Sequence, residues 1–68
     1  MKVSHLTVIS KESGTASVYV EGKEGVSDLH LIYRDGFAVV NFSSEPDGGA
    51  RVGVSYPACD IQEIVSVV

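Results

Sequence analysis

Asp28-Leu-His-Leu-Ile-Tyr-Arg-Asp-Gly-Phe-Ala-Val-Val-Asn-Phe42 is the stretch on which the fold turns. Two apolar runs flank Asp35-Gly36, and both central positions of a two-residue hairpin turn need positive φ, which Gly adopts freely and Asp tolerates. Once the corner is placed there, pairing follows by counting. Arg34 opposes Phe37, Tyr33 meets Ala38, Leu31 meets Val40 and Leu29 meets Phe42. Side chains alternate along a strand, so these inward residues are expected to be core. The same count sends His30, Ile32, Arg34, Phe37, Val39 and Asn41 to the opposite face, with Ile32 opposite Val39 and His30 opposite Asn41.

Outward from this hairpin, nearly every segment reads as strand, rich in Val, Ile, Thr, Tyr and Phe between turn signals. No window carries apolar residues at helical spacing behind a cap. Six strands are predicted: Lys2–Ser10, Thr15–Glu21, Ser27–Arg34, Phe37–Ser43, Ala50–Tyr56 and Ile61–Val68. Glu12-Ser13-Gly14 suits a three-residue hairpin loop with glycine in the left-handed region, which pairs Val8 with Val18 and Leu6 with Val20. Val52, Val54 and Tyr56 extend the core face, while Arg51, Gly53 and Ser55 look outward. In the last strand Ile61, Val65 and Val67 are assigned to one face, Ile64 and Val68 to the other. Ser44–Gly49 is the longest loop, expected to be mobile at its tip. The fold class is therefore all-β: one small domain spanning residues 1–68, an antiparallel meander of five to six strands closing into a barrel or compact sandwich.

The final segment, Tyr56-Pro-Ala-Cys-Asp-Ile-Gln-Glu-Ile-Val-Ser-Val-Val68, resembles the end of small SH3-like and Sm-like barrels. Tyr56-Pro57 would end a strand, Ala58-Cys59-Asp60 would make one tight helical turn, and Ile61, Ile64 and Val65 would lead the closing strand. The resemblance implies a closed SH3-like barrel, which would also remove exposed strand edges. The glycine and asparagine signatures of RNA-binding Sm-like proteins have no match here.

Composition narrows the function classes. At 68 residues the chain buries only about 60% of its unfolded surface, so disulfides, a metal or self-association are the usual supports. Cys59 is the only cysteine, and neither His5 nor His30 stands at metal-ligand spacing from it, so no disulfide, metal site or cofactor is expected. Self-association, as a homodimer, remains. The net charge of −4 and the scattered Lys2, Lys11, Lys23, Arg34 and Arg51 argue against direct nucleic-acid binding. The apolar runs are too short for a membrane helix and no signal peptide is visible, which reads as a cytoplasmic protein.

Catalytic chemistry has no foothold. An activated cysteine needs a base or a cation beside it, but the neighbour of Cys59 is Asp60, so a packed, inert thiol is expected. Glu45 and Asp47 lie on a loop, and Asp60 and Glu63 beside the last strand. None forms a sheltered carboxylate pair, and all acids read as solvated surface. No catalytic residue is assigned and the chain is not expected to be an enzyme. The outward set His30, Ile32, Arg34, Phe37, Val39 and Asn41 is the candidate site: an aromatic and an arginine beside branched aliphatics match the make-up of interface hot spots. A second buried face is the competing explanation. The leading expectation is a non-catalytic protein-binding module, self-associating, that docks through this hairpin face. A small acidic inhibitor of the phage or mobile-element type, a decoy for a nucleic-acid-binding protein, is the alternative. An Sm-like RNA-binding ring is the third reading.

Overall fold

The computed structural model describes residues 1–23, 25–45 and 50–68. The element order is β1 (His5–Ser10), β2 (Ala16–Val20), β3 (Ser27–Arg34), β4 (Phe37–Ser43), β5 (Arg51–Pro57), a 3-10 turn (Ala58–Asp60) and β6 (Ile61–Val67). They form two three-stranded antiparallel sheets, ordered β2-β1-β6 and β3-β4-β5. The core between them is Val3, Leu6, Val8, Leu29, Leu31, Ala38 and Val40, with Tyr19, Val26, Phe42, Tyr56, Ile61 and Ile64 packed around it.

The central hairpin forms as its turn chemistry demands. Asp35 and Gly36 both have positive φ, 51° and 79°. Arg34 pairs with Phe37, Tyr33 with Ala38, Ile32 with Val39, Leu31 with Val40 and His30 with Asn41. The register shifts before His30, and Ser27 returns to pair with Ser43, so Asp28 and Leu29 together oppose Phe42. The expected simple pair of Leu29 with Phe42 is thus replaced by a bulge, with Asp28 at φ 55°. Leu29 stays fully buried all the same. Tyr33, expected in the core, is 65% exposed; it stands at the turn end of the ladder, one pair from Arg34 and Phe37. Val52 is likewise exposed, while Val54 and Tyr56 are half-buried.

The expected first strand divides in two. Met1–Val3 pair with β3: Lys2 bridges His30, and Val3 N–H donates to the Leu29 carbonyl. From Ser4 the chain pairs with β6 and β2 instead. The N-terminal segment therefore ties the two sheets together at one corner.

Two registers differ from expectation. Leu6 pairs with Tyr19 and Val8 with Ser17, one residue away from the predicted Leu6–Val20 and Val8–Val18. The connection is a four-residue loop, Lys11–Gly14, closed by Gly14 N–H on the Ser10 carbonyl. Asp60 fixes this longer loop. Its carboxylate accepts from Ser10 Oγ (3.0 Å) and Glu12 N–H (3.1 Å), and its carbonyl accepts from Lys11 N–H. The one-residue shift also points Tyr19 inward, where its hydroxyl meets that of Tyr56 and its ring lies 5.8 Å from Phe42. Burial of the phenol, reinforced by the Tyr56 hydrogen bond, pushes the Tyr19 pKa upward.

In β6 the register shifts at Gln62, between the pairs Ser10–Ile61 and Ile9–Glu63. That extra residue turns Ile61 to the same side as Ile64, against the core, and leaves Val65 and Val67 outward. The assignment of Ile61 to the face of Val65 and Val67 is corrected accordingly. The expected loop tip at 46–49 lies outside the described residues.

Asp60 is therefore a structural residue, not a solvated surface acid. Asp60→Ala removes two acceptor contacts, leaving the Ser10 hydroxyl and the Glu12 amide without this partner, and is expected to cost about 1–3 kcal/mol. Urea unfolding checks the loss, and Glu63→Ala, on an exposed side chain of β6, should stay within about 0.5 kcal/mol of the parent.

Candidate functional site

The outward face of β3-β4-β5 is built by alternation from the hairpin. β3 supplies His30, Ile32 and Arg34, and β4 supplies Phe37, Val39 and Asn41. The ladder to β5 adds Gly53 beside Asn41, Ser55 beside Val39 and Pro57 beside Phe37. Phe37 is 43% exposed, Arg34 is exposed, and Ile32 and Val39 are half-buried among their neighbours. Gly53 and Ser55 are small, which leaves the flank of Ile32, Val39 and Phe37 low-walled. All six predicted residues thus lie together on one face, opposite the core.

A polar cluster that the sequence reading missed borders this face. Asp28 receives Lys2 Nζ at 2.8 Å and Arg51 Nη1 at 3.0 Å. Arg51 also donates to the Asn41 side-chain carbonyl, which lays its guanidinium over the outer face. His30 Nδ1 lies 2.9 Å from the Asp28 carbonyl. Hydrogen bonding to Lys2 holds the Asp28 carboxyl below its ordinary range, and the same contact raises Lys2. Glu21 closes the bulge from the other side, accepting from the N–H groups of Leu29 (2.8 Å) and Asp28 (2.9 Å). Those two backbone bonds lower its pKa. Glu21 and Asp28, like Asp60, were expected to be solvated surface acids and are instead internally bonded. The one available signal was Asp28 itself, a residue tolerant of positive φ, set before an alternating run.

The chemistry that results is apolar with a rim of cations, two of them bound to Asp28. Three of the five Lys and Arg residues, Lys2, Arg34 and Arg51, stand on or beside this face, in a chain of net charge −4. Arg34 makes no ion pair among the described residues. No group of three His, Cys, Asp or Glu among the described residues could hold a metal ion. Cys59 is free and exposed, contrary to the packed thiol expected.

A concavity of about 290 Å³ is lined by Val8, Ser10, Thr15, Ser17, Tyr56 and Asp60 among others. Its carboxylate is already engaged by Ser10 and the Glu12 amide, so it adds hydroxyls over an apolar floor and no free charged group.

Acid should loosen the bulge. The carboxyls of Glu21 and Asp28 have folded pKa values below their unfolded ones, so the unfolded chain takes up more protons as pH falls. Their stabilising contribution is complete above about pH 5 and is lost as pH drops through and below the ordinary carboxylate range. Melting temperature against pH should fall less steeply for Glu21→Gln than for the parent chain.

No helix among the described residues is long and apolar enough to cross a membrane. No protein-family model matches the chain, and no curated protein or solved structure shows a significant match to it.

Proposed function

We propose that this chain is a non-catalytic protein-binding module whose docking surface is the outward face of β3-β4-β5. The observation that carries the reading is the exposed Phe37 beside Ile32 and Val39, on the face turned away from the core and rimmed by Arg34, His30, Asn41 and Arg51. An aromatic anchor with an adjacent arginine, flanked by small residues, has the composition of an interface centre and its rim. A monomeric soluble surface seldom gathers such residues without a partner.

The architecture proposed beneath it is an open SH3-like barrel. In support, the N-terminal segment pairs first with β3 and then with β2, as a corner strand does. The 3-10 turn between β5 and β6 stands where the resemblance puts it. The decoy reading draws less support, since Glu21, Asp28 and Asp60 are bound internally instead of being displayed.

The test is affinity capture from a lysate of the encoding organism, followed by titration of the captured protein into isotope-labelled chain. Amide shifts centred on 30–41 and 53–57 are expected. Shifts confined to the Asp60 cleft or to β2-β1-β6 would overturn the assignment of the surface.

A further inference from the structure

We infer that the outer face of the other sheet, β2-β1-β6, is where a second copy of this chain docks, sheet upon sheet about a two-fold axis. Its two ladders align nine outward residues in rows: Val20, His5 and Val67; Val18, Thr7 and Val65; Ala16, Ile9 and Glu63. Val18 is 62% exposed, Val65 48% and Val67 52%, so three branched aliphatics of one face stand in water. That is the pattern of an interaction surface and not of an ordinary solvated sheet, which would alternate to polar side chains here.

The polar residues of the grid can also pair with their counterparts across a two-fold axis. Lys, Arg and Asp are absent from it; its polar residues are His5 in the middle of the first row, Thr7 at the centre and Glu63 at the end of the last. A two-fold axis lying between the sheets and across the strands stacks the row Val18-Thr7-Val65 on its own copy. It also lays the His5 row over the row that holds Glu63 of the partner subunit, within one strand spacing, twice per dimer. The other two-fold, along the strands, would stack imidazole on imidazole and set Glu63 over alanine. Charge therefore selects the first. Three strands about 4.8 Å apart and three rows about 6.8 Å apart give a plan area of roughly 280 Å², well under the ~800 Å² per partner of a tight complex. The dimer is consequently weak and reversible. It also covers apolar surface in a chain whose core holds seven buried hydrophobic residues among those described.

Sedimentation equilibrium of the full chain from about 10 μM to about 1 mM tests this. The expected result is a rise from monomer toward dimer mass. Val18→Lys and Val65→Lys should each weaken association at least about ten-fold while melting near the parent temperature, because both side chains already face solvent. His5→Glu should weaken it as well, and the double variant H5E/E63K should restore it. The proposal fails if the chain stays monomeric throughout, or if a dimer survives both lysine variants. It fails equally if Phe37→Lys on the opposite face is the change that dissociates the dimer.

Discussion

Leu29→Ala is expected to leave most of the chain unfolded at 37 °C. Leu29 has no exposed surface and lies in the bulge, packed among Val3, Leu6, Leu31 and Val40. Removing a buried leucine side chain costs about 2–5 kcal/mol through lost transfer energy and the cavity left behind. A domain of this size holds little more than that in reserve. Alanine retains the backbone bonds of Leu29, its amide to Glu21 and its carbonyl from Val3 N–H, so the loss reports the side chain. Circular dichroism with urea titration measures it. A variant that melts cooperatively within a few degrees of the parent would show that the core does not depend on this side chain.

Phe37→Asp is expected to reduce affinity for the captured partner at least about 30-fold while leaving the fold in place. The ring contributes exposed area beside Pro57 and Val39, so its loss removes no core contact. Its replacement puts a bare carboxylate where a partner would exclude water. Calorimetric titration gives the affinity, and thermal melting of the same sample gives the stability. Arg34→Ala, at the rim and free of any ion pair among the described residues, should act more weakly and lose most of its effect in high salt.

Much of this was legible in the residues because local rules and the global fold agree. Asp35-Gly36 dictated the turn, the turn dictated pairing from Arg34 to His30, and alternation then divided the hairpin into faces. All six strands lie where Val, Ile and Tyr cluster between turn signals. What escaped the sequence were insertions of a single residue. Asp28 and Gln62 each introduce an irregularity of one residue in a ladder, and neither leaves a periodic trace. The loop between β1 and β2 escaped for a different reason. Its length is set by Asp60, 48 residues from the Glu12 amide it holds, and no local pattern of Glu12-Ser13-Gly14 encodes that contact. The border of the docking face was hidden likewise: Lys2, Asp28 and Arg51 are far apart in the chain and meet only when Met1–Val3 and β5 flank β3 and β4.

Neighbouring residues on one strand give the sharpest check. Leu31 and Ile32 differ by one position in β3 and point to opposite sides of the sheet, one fully buried and the other at the proposed docking surface. Thermal unfolding of Leu31→Asp and Ile32→Asp, measured side by side, compares those two sides with the same chemical change. Leu31→Asp should show no cooperative transition, and Ile32→Asp should melt within several degrees of the parent chain. Collapse of both variants would contradict the division of this sheet into a core face and a free one.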